Sequence, residues 1–262
     1  MNAAPAGVVT LEMPAPHVAL VTLRRPESRN AVNGAVALEL ESIVRSTEAD
    51  PAVWAVVLTG AGGQAFSSGA DLKEVAAGRL ETLWTHDGGF AGFVRAARAK
   101  PWLAAVDGLA VAGGFEIALA CDMIVASDDA SFGLPEVTRG PIAAAGGLYR
   151  LPRALPRAVA LELIATGERL MADRALALGL VNRVVPKERA LPASLELAAT
   201  IARNAPLAVR ESLVIARQAH DLNEATLGRL SAESQKRIMA SEDFQEGPRA
   251  FLQKRAPRWV GR

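Results

Sequence analysis

Glu116 is the only charged residue in the apolar run LAVAGGFEIALA. An ionised carboxylate is costly to bury without compensation, so a lone glutamate here needs a reason. One interpretation is that Glu116 is a partly desolvated carboxylate whose pKa suits proton transfer. The alternative is a side chain that leaves the helix end for solvent. Directly before it stand Ala112, Gly113 and Gly114, and glycines at a helix start let a ligand reach the free N–H groups of the first turn. Negative charge developing on an oxygen would be stabilised there.

A second glycine-rich element, QAFSSGADLKEV, occupies residues 64–75. Its Gly69 and Ala70 follow a predicted strand, and Asp71 can cap a helix that starts at Leu72. One interpretation is a capped turn with no further role. The other is that the Ala70 N–H is a second donor aimed at the same oxygen as the Gly113 N–H. Two converging donors would make an oxyanion hole.

A second candidate acid, Glu136, lies in the segment SFGLPEVTRGPIAAAGG. It follows Pro135, and an acid at that position of a helix commonly does no more than complement the helix dipole. From the residues alone, this interpretation and an acid–base role both stay open. The three histidines are scattered, and the single cysteine, Cys121, can form neither an internal disulfide nor a plausible zinc site. We therefore expect no metal.

The composition restricts the class of protein. The chain has 262 residues, 50% of them hydrophobic, and a formal net charge of +1. That balance is ordinary for a protein with a sizeable core, and it offers no basic surface for nucleic acid. Uncharged apolar runs are too short to span a membrane, and the first residues do not resemble a secretory signal. We expect the cytoplasm as the compartment.

The pattern of elements predicts an α/β fold, because strands, glycine-rich turns and helices alternate. Asn33 is expected to cap the first long helix. The predicted strands are Val8–Met13, Val18–Leu23, Trp54–Thr59, Trp102–Val106 and Met123–Ser127, and the predicted helices among them lie near Phe90–Ala99 and Gly114–Cys121.

After Asn182 the pattern becomes helical, with amphipathic segments at Leu191–Asn204, Pro206–Gln218 and Leu222–Met239. These helices have more apolar surface than so small a unit can bury alone, which favours a role in assembly. We predict a core of residues 1–195 and a helical oligomerisation region of residues 196–262.

The order and spacing of several motifs resemble the crotonase (enoyl-CoA hydratase/isomerase) superfamily, and the resemblance covers nearly the whole chain. The motifs are RRPESRNAVN, GADLKEV, AVDGLAVAGGFEIALACDMIVAS, FGLPEVTRG with AAAGGLYRLPR, MADRALALGLVNRVVP and EGPRAFLQKRAPRW. The resemblance implies a spiral of strand–strand–helix turns, a C-terminal helical trimerisation region, and a trimer or a hexamer built from two trimers. It implies an acyl-CoA substrate and no cofactor, since coenzyme A is part of the substrate.

The resemblance also implies roles for individual residues. Ala70 and Gly113 would hold the thioester oxygen, while Glu116 and Glu136 would be the two glutamates of a hydratase. Retention of both favours hydration of 2-enoyl-CoA in fatty-acid or related metabolism. Isomerisation, dehydration, thioester hydrolysis and non-catalytic acyl-CoA binding are the alternatives. Expected substrate-binding residues are Arg25, Arg29, Ser68, Asp71, Leu72, Gly114, Ala144 and Lys254, with Lys254 reaching a neighbouring subunit's ligand.

Three departures from the family pattern bear on the site. Ala112 and Phe115 replace a commoner glycine and cysteine, and Ala144 stands where many hydratases have a glycine whose N–H helps to hold water. An alanine there would be strained if the glycine conformation has a positive φ. The variable segment Ala76–Gly92, with Leu80, Leu83, Trp84 and Phe90, is expected to shape the acyl pocket.

Overall fold

A computed structural model describes residues 7–262. Its strands are β1 (Val9–Ala15), β2 (Val18–Leu23), β3 (Ala55–Gly60), β4 (Ala65–Ser67), β5 (Trp84–Thr85), β6 (Gly89–Phe90), β7 (Trp102–Val106), β8 (Leu109–Val111), β9 (Met123–Ser127), β10 (Ser131–Gly133), β11 (Arg169–Met171) and β12 (Arg183–Val185). Its helices are α1 (Gly34–Ala49), α2 (Leu72–Ala76), α3 (Gly113–Leu119), α4 (Gly147–Ala154), α5 (Arg157–Thr166), α6 (Ala172–Ala177), α7 (Ala190–Ala202), α8 (Pro206–Ala216), α9 (Glu224–Met239) and α10 (Glu242–Leu252).

The chain winds between two sheets. The larger has the order β1-β2-β3-β7-β9-β12 and the smaller has the order β11-β10-β8-β4. Each turn of the spiral gives one strand to the larger sheet and the next to the smaller one, as β3 and β4, β7 and β8, and β9 and β10 do, and a helix follows. This confirms the predicted α/β spiral of strand–strand–helix turns.

The central strands of the larger sheet, β3 and β7, are buried on both faces. Leu58, Ala104 and Val106 point into the main core, which also contains Phe66 and Phe132 of the smaller sheet and the apolar side of α1. The alternate residues face α7, whose contacts with the sheet involve Leu191, Leu195, Ala198 and Ile201. Burial on both faces is typical of strands in parallel sheets and explains their uninterrupted apolar runs.

Helices α8, α9 and α10 carry few buried side chains. In α8 only Pro206 is buried, and in α9 only Ser234. Arg217 ties the end of α8 to the core through Asp122, at 2.7 Å. The predicted boundary between residues 195 and 196 lies inside α7, which packs on the sheet. The C-terminal helices are present, and their role in assembly stays a prediction.

Local predictions had mixed outcomes. Asn33 caps α1 by accepting a hydrogen bond from the Val36 N–H at 3.0 Å, as expected. The helix predicted near Phe90–Ala99 is wrong, because the chain there forms β6 and turns. Gly92 has a φ of +64° and lies so close to the backbone of α1 that a side chain would collide with it. Apolar spacing alone therefore mistook a tightly packed turn for a helix.

The described residues contain no helix that is both long and apolar enough to cross a bilayer.

Candidate active site

Three neighbouring strands of the smaller sheet direct the predicted catalytic segments to one edge. β8 pairs with both β4 and β10, and both pairings are parallel. The carboxyl ends of parallel strands meet at the same edge of a sheet, where ligands commonly bind in α/β proteins. The loop of Ala70 follows β4, Gly113 and Glu116 follow β8, and Glu136 follows β10.

The two predicted oxyanion loops touch each other. A methyl group added to Gly69 would lie 2.6 Å from the Gly113 nitrogen, so only glycine allows this approach. Gly69 also has a φ of +84°, which favours glycine independently. Within residues 7–262, neither the Ala70 N–H nor the Gly113 N–H donates a hydrogen bond to another protein group. Both donors are thus close together and available to a ligand oxygen.

Glu116 is buried, with 3% of its surface exposed. Its carboxylate accepts a hydrogen bond from the Gly147 N–H, at 2.8 Å to Oε1. Burial raises the pKa of Glu116 to about 7, the Gly147 hydrogen bond opposes this shift, and the charge of Glu136 adds to it. A carboxyl group with this pKa can both bind and release a proton near neutral pH.

Glu136 lies at the start of a short 3-10 helix, Pro135–Arg139, and is half-buried. Its Oε2 is buried and has no hydrogen-bond partner within the described residues. Burial raises the pKa of this carboxyl group as well. Buried polar atoms normally have partners, so an unpartnered carboxyl oxygen beside a second acid marks a place where a ligand or water can bind.

Ala112, directly before Gly113, has a φ of +50° and a ψ of −134°. A side chain is unfavourable in this region of conformational space, so the alanine that replaces the usual glycine is strained. Its N–H donates to the Gly133 carbonyl at 2.9 Å, which fixes the end of β8 to the end of β10.

Ala144 does not have a positive φ, so its backbone is not strained by the presence of a side chain. Its N–H donates to the Ile142 carbonyl at 2.9 Å. The backbone N–H groups that interact with the Glu116 carboxyl group belong to Gly147 and Ala145, not to Ala144. Ala144 itself is exposed.

The other predicted substrate-binding residues divide into three groups. Asp71 and Gly114 are buried parts of the oxyanion loops: Asp71 caps α2 by accepting from the Lys73 N–H, and a side chain on Gly114 would collide with the Ser67 carbonyl. Leu72, Arg29 and Lys254 are exposed. The remaining two are Arg25, which pairs with Asp71, and Ser68, whose N–H donates to the Arg29 carbonyl.

Arg29 lines a surface cleft together with Pro26 and Gln64. Lys254 follows α10 and makes no side-chain hydrogen bond or ion pair with another of the described residues. The structure thus brings both glutamates and both predicted oxyanion loops to one edge of the smaller sheet, while Lys254 follows the C-terminal helix α10.

Sequence reasoning missed Gly147, Arg150 and the position of Phe90. Gly147 and Arg150 contact the site from α4, which is distant in sequence from Glu116. The Phe90 ring lies against Gly113, where an added methyl group would be 2.5 Å from its Cε1. The motif AAAGGLYRLPR gave a signal for the first two, since a glycine pair opens a helix there. Among residues 7–262, no group of three or more His, Cys, Asp or Glu side chains is arranged to hold a metal ion.

Comparison with known proteins identifies the family of this chain. A family model described as enoyl-CoA hydratase/isomerase matches residues 15–262. A mevalonyl-coenzyme A hydratase of Aspergillus fumigatus is 40% identical over 255 residues, which cover 95% of this chain and 93% of that protein. A carnitinyl-CoA dehydratase of Proteus mirabilis is 40% identical over 247 residues, which cover 92% of this chain and 94% of that protein.

Among solved structures, an enoyl-CoA hydratase from Mycobacterium tuberculosis superimposes with a TM-score of 0.93 and 39% identity, over 98% of this chain and 100% of that one. With a family model and relatives that span almost the whole chain, the protein is a member of the enoyl-CoA hydratase/isomerase family, the crotonase superfamily.

Proposed function

We propose that this member of the crotonase superfamily hydrates 2-enoyl-CoA thioesters to 3-hydroxyacyl-CoA, with Glu116 and Glu136 as its acid–base pair. The observation that carries the proposal is the buried Glu116 carboxyl group, held by the Gly147 N–H at 2.8 Å and with a pKa raised to about 7. A second half-buried carboxyl group, Glu136, lies near enough for its charge to affect that pKa.

In the proposed reaction the thioester oxygen lies between the N–H groups of Ala70 and Gly113. These donors stabilise the enolate that forms when water adds to C3, and one such donor is typically worth about 2.7–4 kcal/mol. Glu116 takes a proton from the attacking water while the oxygen–C3 bond forms. The electron pair of the double bond moves toward the thioester, and Glu136 delivers a proton to C2. Water is thereby consumed, and no redox cofactor or metal takes part.

Coenzyme A enters as part of the substrate. We propose that the exposed cations Arg29 and Lys254 bind its phosphates, with Lys254 acting on a neighbouring subunit's ligand in a trimer or hexamer. The cleft beside Arg29 supports a nucleotide site at that end of the oxyanion loop.

A second candidate is the same proton chemistry on a short acyl group that bears a hydroxyl or another polar substituent. It is favoured by the relatives named mevalonyl-coenzyme A hydratase and carnitinyl-CoA dehydratase, both 40% identical to this chain. Hydration and dehydration are the two directions of one reaction, so the same two glutamates serve either.

The test is turnover of crotonyl-CoA and longer 2-enoyl-CoA thioesters, followed by the loss of the conjugated thioester absorbance, beside dehydration of 3-hydroxylated and branched acyl-CoA thioesters. Hydration of at least one unsubstituted enoyl-CoA with a kcat above about 1 per second supports the first candidate. Activity confined to the substituted thioesters favours the second. Binding of acyl-CoA without turnover of any of them would overturn both.

A further inference from the structure

Arg150 contacts the Ala145–Gly147 turn, which binds Glu116 through the Gly147 N–H. It belongs to the first half of α4, the helix whose first N–H, that of Gly147, donates to the Glu116 carboxylate. Its guanidinium donates to the Ala145 carbonyl from Nη1, at 3.1 Å, and to the Val94 carbonyl from Nη2, at 2.5 Å. One side chain thus fastens the Glu116-binding turn to the segment that follows β6.

The contact is close on the side of the turn. Gly146 has a φ of +125°, and a side chain there would overlap the Arg150 guanidinium. The planar fork therefore lies directly against the backbone of the turn. A lysine ammonium is a compact donor on a flexible stem and does not reproduce a rigid fork that reaches two carbonyls in different directions.

Arg150 also acts on Glu116 through its charge. The two charged side chains that affect Glu116 from neighbouring elements are Glu136, on the 3-10 helix, and Arg150, on α4. Glu136 raises the pKa of Glu116 and Arg150 lowers it, although burial is the largest effect. Arg153, on the same helix, faces away and pairs with Asp221 at 2.7 Å.

The geometry points to Arg150 as a positioning residue that holds the Ala145–Gly147 turn in the geometry needed by Glu116 and places a positive charge near that carboxyl group. It touches neither the oxyanion donors nor Glu136, so it acts through the turn and through its charge. This inference rests on the proposed hydratase chemistry.

The sign of the pH effect follows from the proton count. The glutamate pair works with one proton, because two protons leave no base and none leaves no acid. The productive arrangement has this proton on Glu136 and leaves Glu116 ionised. Burial raises both pKa values, that of Glu116 to about 7, so the pair loses its last proton as the pH rises past about 7. Wild-type kcat/KM therefore falls as pH rises above about 7. We call this decline the falling limb of the pH profile of kcat/KM. Removing the positive charge of Arg150 raises the pKa of Glu116 and moves the falling limb to higher pH.

The experiment compares Arg150→Met, Arg150→Lys and the matched control Arg153→Met on the best enoyl-CoA substrate from pH 5 to pH 9. We expect Arg150→Met to lower kcat roughly 10- to 100-fold, as small errors in catalytic geometry do, with KM changed less than about threefold and the falling limb moved upward. Arg150→Lys should keep the limb near its wild-type position yet lose part of kcat. Arg153→Met should match wild type.

Either of two kinetic results would overturn the inference. The first is wild-type kcat in folded Arg150→Met or, if that variant does not fold, in Arg150→Lys. The second is a loss of kcat in Arg150→Met that leaves the limb in place. Infrared titration of the protonated carboxyl band, assigned by its absence in Glu116→Gln, gives the pKa of Glu116 without substrate. An upward shift of that pKa in Arg150→Met supports the charge effect even if no enoyl-CoA is turned over, and an unchanged pKa contradicts it.

Discussion

The guanidinium of Arg25 forms an ion pair with the carboxylate of Asp71, with 2.8 Å between Nη2 and Oδ2. The two side chains are only 15% and 10% exposed, and Arg25 also donates to the Ala31 carbonyl at 2.6 Å. Burial opposes the ionised form of Asp71, but the hydrogen bonds from Arg25 and from the Lys73 N–H outweigh it, so the pKa of Asp71 is lowered. Asp71 directly follows the proposed oxyanion donor Ala70, and the pair braces that loop.

Arg25 is thus paired and largely buried, whereas Arg29 and Lys254, the other two predicted phosphate-binding cations, are exposed. We expect Arg25→Ala to lower kcat/KM about tenfold on acyl-CoA and acyl-pantetheine substrates alike, because the loop of Ala70 loses its support. Arg29→Ala and Lys254→Ala should raise KM severalfold for acyl-CoA alone, and less at high salt, since exposed charges are screened within about 10 Å. The measurement is KM on both substrates at low and high salt.

An Arg25→Ala defect that appears only with the acyl-CoA substrate would place Arg25 on the phosphates instead. If Arg29→Ala and Lys254→Ala both match wild type on both substrates at low salt, the phosphates bind elsewhere.

Strain at Ala112 gives a stability prediction. Replacing it with glycine removes a side chain from a φ of +50°. The relief, typically about 1–3 kcal/mol, exceeds the entropy that glycine adds to the unfolded chain, about 0.4–1 kcal/mol. Ala112→Gly should therefore raise the free energy of unfolding by about 1 kcal/mol. Ala118→Gly in α3, at a buried helical position, should lower it by at least about 1 kcal/mol, because a core methyl group is lost in addition to helix propensity. Denaturant titration compares the two, and a destabilised Ala112→Gly would mean that the alanine is not strained.

The position of Phe90 predicts which acyl chain lengths the enzyme prefers. Its ring lies against Gly113 and meets Trp84 edge-on, with 5.7 Å between the ring centroids. This aromatic pair occupies space next to the proposed thioester oxygen, so we expect a preference for short acyl groups. Phe90→Ala should raise kcat/KM for eight-carbon relative to four-carbon enoyl-CoA about tenfold, and Phe90→Leu should have a smaller effect. An identical chain-length profile in wild type and both variants would show that Phe90 does not limit the pocket.

Exposed apolar residues on the C-terminal helices indicate that the chain forms an oligomer. Phe251 and Leu252, at the end of α10, are 84% and 80% exposed, and Met239 at the end of α9 is 54% exposed. Exposed apolar side chains in this number are typical of a surface that another subunit covers. We expect light scattering to give three or six times the chain mass of 27.5 kDa, and Phe251→Glu to lower it. A wild-type monomer at micromolar concentration would contradict this prediction.

The sequence predicted the features that depend on neighbouring residues. The caps of Asn33 and Asp71 and most core strands follow from side chains within a few positions, and Glu116 was conspicuous because it is alone in an apolar run. The features that the sequence did not predict depend on contacts between distant segments. The hydrogen bond from Gly147 to Glu116 joins residues 31 positions apart, and Arg150 reaches Val94 across 56 positions. The helix α10 was missed because Gly247 and Pro248 lie within it, and their propensities argue against a helix.

Glutamine substitution tests whether Glu116 and Glu136 transfer the protons. Glutamine keeps the shape of each side chain and removes its titration. The measurement is kcat of wild type, Glu116→Gln and Glu136→Gln on the best enoyl-CoA substrate, with circular dichroism and thermal unfolding as controls for the fold. We expect each folded variant to lose at least about 10²-fold in kcat, as the removal of a general acid or base does. If either folded variant retains near-wild-type kcat, that glutamate does not transfer a proton and the two-glutamate account is wrong.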